Sequence, residues 1–181
     1  GTSGGRGTLF LGHSYSLDQN PAFPNGSGLD GNISNLVGKA TLSPHPWVQA
    51  SYQFQIDARQ GFLSRSVAGA RLGPSSFNLS AYHLFIDQRG QPDLPNDLSQ
   101  LAVAASARLT ENWRVQGRAL ANVGASSGLL LGGATLYYED ECIVVGLDMS
   151  RRNLSDRDNP QDTTISLRLS FRNLGQLVTN L

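Results

Sequence analysis

Apolar and polar residues alternate one for one over long stretches of this chain. Across residues 47–57, Val48, Ala50, Tyr52, Phe54 and Ile56 share one parity, and Gln49, Ser51, Gln53, Gln55 and Asp57 share the other. That is the two-residue period of a strand with unlike faces, whereas a helix would scatter the same apolar groups around its circumference. The split recurs over 100–109, where Leu101, Val103, Ala105, Ala107 and Leu109 oppose Gln100, Ser106 and Arg108. Over 113–123 it sets Val115, Ala119, Ala121 and Val123 against Arg114, Gln116, Arg118 and Asn122. Near the end, Ile165, Leu167, Leu169 and Phe171 oppose Thr164, Ser166, Arg168, Ser170 and Arg172. Six less regular strands are expected near 8–15, 35–43, 62–72, 76–86, 129–138 and 142–153, and no stretch carries a helical period. The pattern predicts an all-β chain, an antiparallel up-and-down meander of about ten strands in which sequence neighbours pair.

Strand and connection lengths narrow the class. Most strands span about 9–11 residues, enough for a tilted strand to cross a bilayer. Connections that are tight (43–46, 73–75, 110–112, 139–141) take turns with roomier ones (16–34, 87–97, 124–128, 153–162), and a short 57–61 is the exception. Membrane barrels have short periplasmic turns and longer outer loops, so the tight set is assigned to the periplasm. Trp47, Trp113, Tyr137, Tyr138 and Phe171 lie beside those turns or at the final strand end, where an aromatic girdle meets the headgroups. The expectation is a transmembrane β-barrel segment, an incomplete barrel wall spanning 1–181, in the outer membrane. Its lipid face would carry Val48, Ala50, Phe54, Leu101, Val103, Ala105, Ile143, Val145, Leu147, Ile165, Leu167 and Leu169. Its lumen face would carry Gln49, Gln53, Arg118, Asp148 and Arg168.

Composition removes other classes. The 181 residues are 39% hydrophobic with a mean hydropathy of −0.23, and no run is long and apolar enough for a transmembrane helix. That leaves a barrel open, since its strands spend only alternate residues on lipid. Fourteen basic residues balance fourteen acidic ones, which argues against nucleic acid as a partner. The single cysteine, Cys142, allows no internal disulfide. His13, His45 and His83 lack metal-ligand spacing, and no nucleophile motif is visible, so no metal, cofactor or catalytic residue is expected. The chain starts Gly1-Thr2-Ser3, with neither an initiator Met nor an apolar signal segment; the start is read as processed or cut from something longer.

The segment Tyr137-Tyr138-Glu139-Asp140-Glu141-Cys142, followed by Gly146-Leu147-Asp148 and Arg151-Arg152, resembles the C-terminal barrel of the LptD family of lipopolysaccharide-assembly proteins. These were formerly called organic solvent tolerance proteins, and the likeness is to the alphaproteobacterial type. It extends to Gly12-His13-Ser14-Tyr15, Pro24-Asn25-Gly26-Ser27-Gly28-Leu29, Leu42-Ser43-Pro44 and Leu109-Thr110-Glu111-Asn112-Trp113. The resemblance implies a non-enzymatic role in inserting lipopolysaccharide into the outer leaflet. It implies as partners lipopolysaccharide, a plug lipoprotein, periplasmic lipopolysaccharide-bridge proteins and outer-membrane lipid. It also implies a disulfide from Cys142 to the missing N-terminal region. A lateral seam would form at the final strand, through Thr164, Ser166, Arg168, Ser170 and Phe171.

Cations at Lys39, Arg108, Arg114, Arg118, Arg168 and Arg172 fall on the polar parity of their strands, where they would line a hydrated passage and attract phosphates and acidic sugars. Solvation or pairing with carboxylates is the plainer account. Two other whole-chain readings stand beside the first: a small complete outer-membrane pore or adhesion barrel, and a soluble ligand-binding β-barrel. Alternation is symmetric under inversion and does not say which face is inside.

Overall fold

The computed structural model describes residues 4–13, 34–74, 76–90, 96–124, 127–153 and 162–171, together with the backbone of 175–180. Within them lie eleven strands: β1 (Arg6–Gly12), β2 (Leu36–His45), β3 (Val48–Ile56), β4 (Leu63–Leu72), β5 (Phe77–Ile86), β6 (Leu98–Arg108), β7 (Trp113–Asn122), β8 (Gly128–Glu139), β9 (Ile143–Arg152), β10 (Asp162–Phe171) and β11 (Gly175–Asn180). They form one antiparallel up-and-down sheet in which spatial order is sequence order. Among the described residues the only helical element is a 3-10 turn at Gln88–Gly90.

Ten strands stand within a few residues of where alternation put them. The eleventh lies beyond the expected final strand. β11 pairs antiparallel with β10, Phe171 opposite Gly175 and Ser166 opposite Asn180. Its six residues are too few to display a period, which is why the pattern does not reveal it.

The chain divides into two compact units: 1–72 with 81–101 and 122–127, and 73–80 with 102–121 and 128–181. In the first, the register places Leu9, Ala40, Tyr52 and Ala68 in one row across β1–β4, and Phe10, Lys39, Gln53 and Val67 in the next. Successive rows point to opposite faces. In the second unit, Leu136, Leu147 and Leu167 form a row across β8–β10, and Thr135, Asp148 and Ser166 form its neighbour.

Turn chemistry fixes these registers. β2 and β3 are joined through Pro46 and Trp47, with a bulge between Leu42 and His45 that accommodates Pro44, a residue unable to donate to a ladder. Gly73 opens the β4–β5 turn at φ 120°, and a Cβ there would collide with the Phe77 carbonyl. Gly73→Ala is expected to cost about 1–3 kcal/mol in urea unfolding. Gly128→Ala, where open space surrounds the added carbon, should stay within about 0.5 kcal/mol.

No hydrophobic side chain is buried among the described residues. Leu9 is 73% exposed, Leu42 56% and Met149 54%. A soluble sheet would bury such a face against a second layer.

Candidate functional site

The polar face of β1–β4 is where charge concentrates. Arg6 pairs in register with Ser43, Lys39 lies between Phe10 and Gln53, Arg65 faces Gln55 and Arg71 faces Gln49. All four cations therefore share one face, and the four strands contain no acidic residue. Their opposite face carries Leu9, Leu11, Leu42, Val48, Tyr52, Phe54 and Leu72 and no charge at all. On the cationic side a depression of about 390 Å³ lies among Lys39, Arg65, Gln53 and Gln55, with Phe10 and Val67 in its lining. Sequence reasoning found Lys39 but not Arg6, Arg65 and Arg71. The missing signal was register, which carries parity from the clean β3 strand into its irregular neighbours.

In the second unit the polar face holds Arg114, Arg118, Asp148 and Arg168. Arg118 Nη2 stands 3.9 Å from the Asp148 carboxylate, and the Thr135 hydroxyl donates to the same carboxylate at 2.6 Å. A smaller depression of about 260 Å³ is lined by Asn78, Ser80, Ser106, Gln116, Arg118 and Thr135, a hydroxyl- and amide-rich surface beside a single guanidinium. Arg108 is exposed at the tight-turn end of β6, and its backbone N–H donates to Ser76. Arg172 lies outside the described residues.

Tyr137 departs from the expected girdle. Adjacent residues on a strand point oppositely, so Tyr137 and Tyr138 cannot both face lipid. Tyr138 stacks with Trp113 at a centroid distance of 5.1 Å. Tyr137 turns to the polar face, where the Arg114 guanidinium covers its ring at 4.8 Å. The ring has room because its register partner is Gly146, buried, with Arg168 on the strand beyond. Arg114 Nε is buried without a hydrogen-bond partner among the described residues, and the guanidinium gains a cation–π contact from the ring. Trp113, Tyr138 and Phe171 remain at tight-turn ends on the apolar face. Trp47 sits in the β2–β3 turn, edge-on to His45 at 4.4 Å.

Two further expectations change place. β9 pairs with the whole length of β10 on one side and β11 with Ser166–Phe171 on the other, so Ser166, Arg168, Ser170 and Phe171 lie between two strands, while Thr164 lies beyond the β11 ladder. Cys142 lies in the β8–β9 turn, just before β9, as a free, exposed thiol. That turn is held by Asp140 N–H donating to Ile143 at 2.9 Å and by the Asn112 amide donating to the Glu139 carbonyl at 2.9 Å.

The roomy connections of the first unit hold a clasp that alternation does not disclose. Asp87 is buried, its backbone N–H donates to Ser64, and its carboxylate accepts from Arg89 N, Nε and Nη2, the last at 2.6 Å. The Arg89 guanidinium also covers the Phe62 ring at 4.3 Å, and the Asp97 carboxylate accepts from Gln88 N–H. Hydrogen bonding from Arg89 holds the Asp87 carboxyl below its ordinary value of 3.8. A depressed carboxyl contributes fully above that ordinary value and loses its contribution as pH falls through the native one. Trypsin cleavage after Arg89 is therefore expected to be slow near neutrality and to accelerate in Asp87→Asn, whatever the pH. Protection of the amides at residues 87–89, relative to exchange of an unstructured chain at the same pH, should fall in the unsubstituted protein below about pH 4.

His83 Nε2 and Ser99 Oγ lie 2.9 Å apart near the same end of the strands. Comparison with family models and with curated proteins finds no match for this chain.

Proposed function

We propose that the chain is part of the wall of an outer-membrane β-barrel that assembles and inserts lipopolysaccharide, with its apolar face against lipid and its cationic face toward a hydrated lumen. The observation that carries the reading is the pairing of two facts. No hydrophobic side chain is buried among the described residues, and the charges of β1–β4 are all cations, gathered on the face opposite the exposed leucines. A soluble ligand-binding barrel needs the reverse, with apolar residues packed inside and charges in water. Lipid solvates an unburied apolar face as readily as a protein core does, while a row of arginines and a lysine facing water-filled space favours phosphorylated, acidic saccharides.

The resemblance to the LptD family supplies the specific cargo and partners: lipopolysaccharide, a plug lipoprotein and the periplasmic bridge that feeds the barrel. On this reading the tight turns face the periplasm, and Trp113, Tyr138 and Phe171 sit at the inner headgroup layer. No step of covalent chemistry is required of any residue.

Depletion of the protein from its host tests the proposal. Surface-accessible lipopolysaccharide, read by labelling of intact cells, should fall while lipopolysaccharide accumulates in the inner membrane, and the protein should fractionate with the outer membrane. Unchanged surface lipopolysaccharide on depletion would return the chain to the pore or adhesion class.

A further inference from the structure

The apolar face of the first unit carries a pair of polar side chains for which a barrel wall has no use. A Cβ on Gly69 would run into both the Tyr82 ring and the Ser51 hydroxyl, which places Tyr82 on the polar face with Ser51 and Gly69. His83, the next residue of β5, therefore turns to the face of Leu42, Tyr52 and Leu72. Ser99, on the neighbouring strand β6, has its Oγ 2.9 Å from His83 Nε2 and shares that face, while Gln100 turns the other way and donates its amide to Asn122. All of these residues belong to the first unit. Sixteen positions separate the pair in sequence, so no local motif announces it.

The contact has the geometry of a base and its nucleophile: in the Nδ1–H tautomer the Ser99 hydroxyl donates to His83 Nε2, ready to pass its proton as the oxygen attacks. Among the described residues no carboxylate bonds the imidazole. Asp87 is taken up by Arg89, and Asp97 accepts from the Gln88 N–H, so the pair is a dyad. On the other side of Ser99 runs Val123-Gly124, with Val123 N–H donating to the Ser99 carbonyl. A Cβ on Gly124 would come within 3.4 Å of the Ser99 Cβ; glycine leaves that space beside the hydroxyl open. On a surface that meets lipid, an imidazole and a hydroxyl cost free energy that two apolar residues would not, and an ionisable side chain held there by a named partner marks a functional site. Both stand at the roomy-connection end. Ser99 is the second residue of β6 and His83 lies three residues before the end of β5, within about 10 Å of the strand ends at about 3.4 Å per residue. With the roomy connections outside, that is the depth at which head groups give way to acyl chains.

We propose that Ser99 and His83 hydrolyse the acyl ester of an outer-leaflet lipid. Ser99 Oγ attacks the ester carbonyl carbon while its proton passes to His83 Nε2. The carbonyl–alkoxy bond then breaks, the leaving alcohol takes that proton, and the acyl group stays on Ser99. A water molecule from the head-group side, deprotonated by the same imidazole, adds to this acyl ester; the bond to Ser99 Oγ breaks, the fatty acid leaves and the hydroxyl regains its proton from His83. The lipid substrate rests on the membrane reading above, whereas the base–nucleophile geometry does not, and neither rests on lipopolysaccharide assembly.

The test uses the protein purified from its host's membranes and reconstituted into phosphatidylcholine vesicles with radiolabelled acyl chains, beside a fluorophosphonate that traps an activated serine. The fluorophosphonate should modify Ser99, read by mass spectrometry of its peptide, and labelled fatty acid should be released. Ser99→Ala should abolish the release. His83→Gln, which keeps a hydrogen-bonding amide beside Ser99 but no base, should slow both modification and release at least about 100-fold. Flotation with the vesicles and far-UV circular dichroism accompany every sample, and the trapping of Ser99 in the unsubstituted protein stands even where a variant fails to fold. Protein that floats with its strands intact, yet leaves Ser99 unmodified and releases no fatty acid, overturns the proposal and leaves the membrane reading standing. Release that survives in folded Ser99→Ala overturns it as well. A modified Ser99 that cleaves only water-soluble 4-nitrophenyl acetate overturns the lipid substrate, and protein that does not float overturns the membrane reading and the lipid substrate together.

Discussion

Leu167→Arg is expected to destabilise the protein in lipid by about 2–4 kcal/mol, the cost of an arginine near the midplane on a barrel's outer face. Leu167 lies in the middle of β10, opposite Leu147, which in turn faces Leu136 on β8. Each of the three is more than a third exposed, Leu147 the most at 47%. The described residues leave all three substantially exposed, so in water the substitution should move stability by no more than about 0.5 kcal/mol. The next residue supplies the control. Ser166 stands opposite Asp148 on the polar face, and Ser166→Arg should stay within about 0.5 kcal/mol in either setting. Urea unfolding of both variants, from vesicles of defined lipid, separates the faces directly. Equal costs for the two arginines would sink the assignment of this face to lipid.

That contrast depends on something alternation alone does not contain. Val48, Ala50, Tyr52, Phe54 and Ile56 declare a strand and a shared face through their spacing, and the structure places β3 at Val48–Ile56. Which face meets water is undetermined by spacing, because a soluble and a membrane barrel differ only by inversion. The proposed membrane reading draws instead on burial: no hydrophobic side chain is buried among the described residues.

Other features escaped for equally physical reasons. Arg6, Arg65 and Arg71 sit on strands with weak alternation, so their face becomes known only when register carries it across from β3. Tyr137 was within reach of sequence reasoning: once Leu136 and Tyr138 are assigned to the apolar face, the residue between them must point the other way. The Asp87–Arg89–Phe62 clasp joins positions on different connections, and no local rule links a loop aspartate to a ring at the start of another strand. β11 was hidden by its brevity, and with it the second partner of β10.

Cys142 is expected to be oxidised in the assembled protein, bridged to a cysteine of the same polypeptide outside residues 1–181. Two separate arguments meet at this residue. Turn length puts the β8–β9 connection on the side assigned to the periplasm, an oxidising compartment where disulfides persist, and the resemblance to the LptD family implies a covalent tie there between barrel and periplasmic domain. The structure adds that the thiol is exposed and that it precedes β9 rather than lying within it. The hydrogen bonds that hold the turn come from Asp140 and Asn112, so Cys142→Ser should leave the strands' stability within about 0.5 kcal/mol. Its effect belongs to assembly: loss of the bridge removes the constraint it places on the unfolded and partly assembled chain, worth about 2–4 kcal/mol for a typical disulfide. On the proposed function, the mature assembled protein should accumulate several-fold more slowly, with surface lipopolysaccharide falling in step. Mass spectrometry of outer membranes under non-reducing conditions decides the matter, because a free thiol at Cys142 in assembled protein rules the bridge out, and a bridge to a different polypeptide reassigns its partner.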